Sequence, residues 1–248
     1  MRAVVLDKPG PVSNLQLRQV PIPEPKPGWV RIKVKACGLN RSELLTRAAV
    51  AYPRVLGIEA TGVVDVDPTG QLQPGQQVMT MMGGMGRKFD GGYAEYTSVP
   101  LHQVIPFSSE LEWSVLGAIP EMLQTAYGSL TVGLDAQPGQ SILIRGGTAS
   151  VGMATAILAK RLGMQVLATT RNPAKADTLT AIGVDHVVID DSNIADKVRA
   201  VVPDGVDKAL ERGHHNALRY PPQRQNPRSG VLHRHVSQQV DRPGFLSH

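Results

Sequence analysis

The run "ILIRGGTASVGMATAILAKRLGMQVLATT", residues 142–170, leaves this chain little freedom in how it folds. It opens with a continuous apolar stretch, the pattern of a strand covered on both faces. A glycine-rich turn follows, Gly146-Gly147-Thr148-Ala149-Ser150-Val151-Gly152, and then an apolar-periodic helix over Val151–Leu162 that Gly163 stops. "QVLATT" supplies a second strand on schedule. Strand, turn, helix and strand in this order predict a βαβ unit, and hence a parallel sheet with a right-handed crossover.

The alternation continues downstream. Pro173–Ile182 reads as a second helix, with proline in its first turn and Gly183 at its end. "HVVID" is a third strand, Ile194–Val202 a third helix and "VDKALE" a fourth strand. Upstream, Leu116–Leu130 has helical character. The first hundred residues have the period of two that half-buried strands show, in "VVL", "WVRIKVKA", "ATGVVDV", "QVMT" and "YAEYTSV". "PIPEPKPG" is an extended proline connector, and "GGMGRKFDGG" a glycine-rich loop. The expectation is a small β-barrel domain over residues 1–112, an incomplete Rossmann domain over 113–211, and an aberrant, irregular tail over 212–248.

Charge separates the tail from the rest. The chain carries 26 Lys+Arg against 21 Asp+Glu, a net of +5. All of that excess lies in residues 212–248, which hold six arginines, no lysine and one acid, together with five of the seven histidines. Residues 1–211 are neutral, so the basic balance does not point to nucleic acid. The single cysteine, Cys37, excludes an internal disulfide and suits a reducing cytoplasm. No apolar run reaches the length of a membrane span, and no leader pattern opens the chain.

The glycine-rich turn carries the chemistry. Glycine permits the tight turn, a small residue lets backbone N–H groups approach a pyrophosphate, and the helix N-terminus supplies partial positive charge. Gly146, Gly147, Ala149, Ser150, Val151 and Gly152 are therefore the candidate dinucleotide cradle, with alanine at the middle glycine position. The plain alternative is a glycine-rich turn without a ligand. At the end of the second strand an NAD site wants a carboxylate for the ribose 2′-hydroxyl. This chain offers Thr169-Thr170-Arg171, with Lys175 one turn further on, so a 2′-phosphate and NADPH are expected, Thr170, Arg171 and Lys175 being the contacts. Against this stands a solvated surface arginine.

Taken as a set, "GWVRIKVKACGLNRSEL", "PRVLGIEATGVV", "GGYAEYTSVP", "PEMLQTAYGSL" and the glycine-rich turn resemble the medium-chain dehydrogenase/reductase superfamily, and within it the zinc-independent quinone oxidoreductase-like branch. The resemblance covers residues 1–211. It implies a GroES-like barrel joined to a Rossmann domain, a nicotinamide and substrate in the cleft between them, and homo-oligomers. Zinc-dependent members place a cysteine before "RS[DE]" and a histidine inside "GHE". Here those positions are Asn40 and Ile58, neither a useful zinc ligand, so no metal is expected. What remains is hydride delivery to an acceptor needing little activation, a quinone or conjugated carbonyl (enone). By carry-over Asn40 would donate to the developing oxyanion and Ser42 would relay a proton, while Arg41 and Thr125 would touch the cofactor. The alternatives are a turn residue for Asn40, a surface residue for Arg41 and core packing for Thr125. The segment "TRAAVAY" is shorter than this branch leads one to expect, which bears on acceptor preference.

Glu211 ends the recognisable pattern. Residues 212–248 have four prolines, paired histidines and no apolar period. With permitted synonymous codons, a one-nucleotide shift after Glu211 lets this stretch encode a helix-like leucine pattern, a turn "TPG" and a strand "VVCF". The tail is therefore expected to be read out of frame, leaving the fourth strand with an open edge. The alternative to an active reductase is a non-catalytic truncated remnant that retains at most nucleotide binding.

Overall fold

The structure, a computed structural model, describes residues 1–46 and 50–211 and the backbone of residues 230–232. It divides into two compact units, Met1–Glu121 and Met122–His248. In chain order the first unit holds β1 (Arg2–Leu6), β2 (Leu15–Gln19), β3 (Trp29–Ala36), α1 (Ser42–Thr46), β4 (Arg54–Val55), β5 (Glu59–Val66), β6 (Gln77–Met81), β7 (Tyr96–Pro100), β8 (Val104–Pro106) and α2 (Trp113–Leu116). Helix α3 (Pro120–Gly128) starts in the first unit and continues into the second. The second unit then has β9 (Ser141–Arg145), α4 (Ser150–Arg161), β10 (Gln165–Thr170), α5 (Ala176–Ala181), β11 (His186–Ile189), α6 (Ile194–Val201), β12 (Lys208–Glu211) and β13 (Gly230–Leu232).

The strands of the first unit form two antiparallel sheets, in the orders β2-β1-β4 and β7-β3-β5-β6-β8. Alternation in "WVRIKVKA" places Val30 and Ile32 fully inside, against Ala60, Val64, Val78 and Val99. The β3–β5 register shifts twice, and Gly62 sits at this irregular stretch. A Cβ on Gly62 would stand 2.1 Å from the Lys33 carbonyl, so only glycine lets the two backbones come this close.

The second unit is a five-stranded parallel sheet, in the order β11-β10-β9-β12-β13. Its period of two sorts the apolar run "ILI" onto both faces. Ile142, Ile144, Val166 and Ala168 pack with Ala156, Ala159 and Leu179 of α4 and α5. Leu143 and Leu167 point the other way, onto Ile194 and Val198 of α6. Each Ile, Leu or Val among them, fully buried, contributes about 1.5–3 kcal/mol. This is the doubly wound half-fold that the repeated βαβ pattern predicts. Among the described residues no helix is long and apolar enough to cross a membrane.

Three expectations are corrected. The helical region 116–130 is broken into α2 and α3, with Pro120 at the start of α3, where its missing N–H costs nothing. A wider π turn follows at Ser129–Gly133, closed by the Leu134 N–H on the Ser129 carbonyl at 2.9 Å. Strands β2 and β8 are additions that the patterning did not single out. The fourth strand, β12, does not end beside nothing: β13 lies parallel to it, Lys208 opposite Gly230 and Leu210 opposite Leu232. An unpaired strand edge is a template for any extended segment, and "GVL" supplies one. Residues 212–229 and 233–248, with their histidines and the expected irregular chain, lie outside the described residues, as do Arg47–Ala49 of the shortened loop.

Candidate functional site

Between β9 and α4 the chain makes the turn predicted as a dinucleotide cradle. Gly146 adopts φ +76°, a left-handed conformation suited to glycine. Its N–H donates to Thr169 Oγ1 at 3.0 Å, and the Gly147 N–H donates to the Thr169 carbonyl at 2.9 Å, so the turn is sewn to the end of β10. A Cβ on Gly147 would lie 2.8 Å from Ala168 Cβ, and one on Gly152 would lie 2.4 Å from the Gly146 carbonyl. The glycines thus take separate parts. Gly147 makes room for the strand, and Gly152 lets α4 close onto its own loop. Ala149, extended at φ −83° and ψ 157°, precedes α4 without any side-chain cap, and the first turn of α4 carries no acid. The first N–H groups and the positive end of the helix dipole are left for an anion. Ser150 is exposed beside them, and the Val151 side chain packs with Ala126 and Ala154. Thr125, one residue before Ala126 on α3, is thereby brought to the start of α4, its carbonyl accepting from Ser129 Oγ at 2.7 Å.

These residues fit a dinucleotide: the turn is rich in glycine, and α4 begins with neither a side-chain cap nor an acid in its first turn. At the end of β10 the buried Thr170 keeps its hydroxyl on the backbone of Asn172 at 3.2 Å. Arg171 and Lys175 are exposed just beyond it, and Arg171 makes no hydrogen bond or ion pair to another described residue.

Behind the turn lies a network the sequence reading missed. Arg145, the last residue of β9, pairs with Asp190 at the end of β11 (3.3 Å) and with Glu211 at the end of β12. Asp190 also accepts from Thr169 Oγ1 at 3.3 Å. The hydroxyl that holds the Gly146 N–H is thus itself oriented by a carboxylate held by a guanidinium. The signal was an arginine ending an otherwise apolar strand.

The first unit gathers Asn40, Glu43, Glu59 and Tyr93. Glu43 reaches back to the Asn40 N–H at 3.0 Å, three residues before it, while the Asn40 carbonyl accepts the Glu43 N–H at 3.1 Å. This is a capping arrangement at the head of α1. The other Glu43 oxygen accepts the Ile58 N–H at 3.0 Å, and the Tyr93 hydroxyl donates to Glu43 as well. Ile58 is itself buried. Glu59, also buried, accepts Asn40 Nδ2 at 2.7 Å on one oxygen and the Glu121 N–H at 2.8 Å on the other. Burial raises the Glu59 carboxyl above its usual range despite these donors. Burial and then Glu43 push the Tyr93 hydroxyl up, so it stays protonated. Burial, then Glu43 and Glu59, push the Cys37 thiol up to about 11, which leaves it a poor nucleophile at neutral pH.

The turn reading describes the Asn40 backbone, which closes the turn, while one side-chain N–H is committed to Glu59. Ser42 Oγ is buried without a hydrogen-bond partner among the described residues, and Arg41 is exposed. The spacing N-x-x-E was the sequence signal for Glu43; nothing local pointed to Tyr93.

The family model for the alcohol dehydrogenase GroES-like domain matches residues 26–109. Among curated proteins the chain is 32% identical over 201 residues to mycoketide-CoA synthase of Mycobacterium tuberculosis, covering 79% of this chain and 5% of that protein. It is 29% identical over 221 residues to human quinone oxidoreductase, covering 85% of this chain and 66% of that protein. A crystal structure described as an NAD-dependent alcohol dehydrogenase superposes with a TM-score of 0.79 at 29% identity, over 84% of this chain and 70% of that one. The chain thus spans a small part of the first relative and about two thirds of the second. The antiparallel sheets of the first unit, the parallel sheet, the glycine turn and these similarities together establish that the chain belongs to the medium-chain dehydrogenase/reductase superfamily.

Proposed function

We propose that this chain is built for zinc-free, NADPH-dependent reduction of a quinone or conjugated carbonyl. The observation that carries the reading is the end of β10, where Thr170 and the uncommitted, exposed Arg171 stand in place of a ribose-binding carboxylate beside an uncapped α4. The solved relative quoted above is named for NAD, so cofactor choice rests on these side chains of this chain and not on kinship.

When bound, the reduced nicotinamide supplies a hydride. The protein's residues do the rest. The backbone of Gly146–Gly152 and the N-terminus of α4 hold the pyrophosphate. Arg171, with Lys175 near it, pairs with the 2′-phosphate through charge-assisted bonds. In the first unit the second Asn40 N–H is offered to the oxygen on which charge develops, a stabilisation that grows only in the transition state. Zinc independence rests on the chemistry of Asn40 and Ile58, an amide and an alkyl group in the ligand positions.

The test is oxidation of NADPH and NADH by the purified chain with a simple benzoquinone, alongside elemental analysis. Quinone-dependent turnover favouring NADPH, unaffected by chelators, is expected. About one zinc per chain would overturn the zinc-free reading, and tight NADPH binding with no turnover would favour a nucleotide-binding remnant.

A further inference from the structure

We infer that Glu59 is a positioning residue that fixes the Asn40 amide as a hydrogen-bond donor toward the acceptor, an inference that rests on the reaction proposed above. Four observations support it. An ionised carboxylate only accepts hydrogen bonds, so the contact at 2.7 Å orients Nδ2, not Oδ1, toward Glu59. The carboxylate is itself immobilised, since its other oxygen holds the Glu121 N–H at the head of α3. Its approach is open only because residue 38 is glycine: a Cβ there would stand 2.0 Å from Glu59 Oε1. Finally, the Asn40 backbone is held independently by Glu43 through its N–H and carbonyl, so only the two side-chain torsions are left for the Glu59 contact to fix. Asn40 is partly exposed while Glu59 is buried, so of the pair the amide is the member a solvent-borne acceptor can reach.

The pair can be swapped without loss of hydrogen bonds. Asn40→Asp alone sets two carboxylates against each other and should lower the thermal unfolding midpoint by about 5 °C or more. Adding Glu59→Gln gives an amide that donates to the introduced carboxylate and still accepts the Glu121 N–H, so the double variant should regain most of that loss. What the swap cannot restore is the amide donor at residue 40. N40D/E59Q should therefore keep the parent's NADPH affinity and lose about 100-fold or more in quinone-dependent kcat. A purely structural pair would recover turnover together with stability.

A double variant no more stable than N40D, or one as active as the parent, overturns the inference. If the parent binds NADPH but reduces no quinone, the proposed reaction fails, while the stability cycle still decides whether Glu59 orients Asn40.

Discussion

In the proposed reading Arg171, with Lys175 near it, carries the cofactor choice. Its neighbour Thr170 is buried and spends its hydroxyl on the Asn172 backbone, so little else at the end of β10 can distinguish a phosphate from a hydroxyl. A charge-assisted contact of this kind is worth about 1.5–3 kcal/mol. Arg171→Ala should therefore weaken NADPH binding by about 10- to 100-fold and leave NADH nearly unchanged. Fluorescence titration of both nucleotides against both proteins checks this, and equal affinities for the parent would remove the basis for the assignment. At this scale the sequence was legible where a residue acts through its own position, as Gly146 does at its left-handed turn. It was silent where function is shared across distance. Thr169 and Asp190 are 21 residues apart, Asn40 and Glu59 are 19 apart, and Tyr93 is 50 residues from Glu43. No local pattern encodes such contacts.

Among the elements, β12 is tied into the sheet by more than its ladder. The Ser141 N–H and hydroxyl both donate to Asp207 Oδ2 at 2.8 Å, and the Asp207 N–H returns a bond to Ser141 Oγ at 3.0 Å. The Ser141 backbone bond, then its hydroxyl, hold the Asp207 carboxyl below the ordinary aspartate range. A depressed carboxyl stabilises the fold above its unfolded value, near pH 4, and that contribution fades as the pH falls through the folded value. Urea unfolding between roughly pH 5 and 2 should therefore show Asp207→Asn with a flatter loss of stability than the parent, starting about 1 kcal/mol lower at neutral pH. Parallel slopes would show that the carboxylate is not linked to folding. The long apolar strands β3, β5, β9 and β10 were readable because both of their faces, or alternate residues, are buried. Strand β2, whose residues after Leu15 are all exposed, offers no such contrast, and β4 is two residues long.

For the whole molecule, the neutral body and basic tail remain two kinds of text. If residues 212–248 are read out of frame, sequencing the transcript should show a neighbouring frame open past Glu211 and encoding an apolar strand after a helix; early stop codons in that frame would end the idea. Strand β13 belongs to this stretch and adds a fifth strand to the sheet. Among the described residues the sheet is covered unequally: thirteen buried residues form the core on the α4–α5 side and four form the core on the α6 side. A fold held firmly on one face and thinly on the other should come apart in stages. Amide protons of α6 and β11 should exchange with deuterium first, and those of β9, β10 and α4 last. The glycine turn would then remain formed in the last structure to open, and its lifetime, more than its shape, would distinguish it from the other loops of the chain.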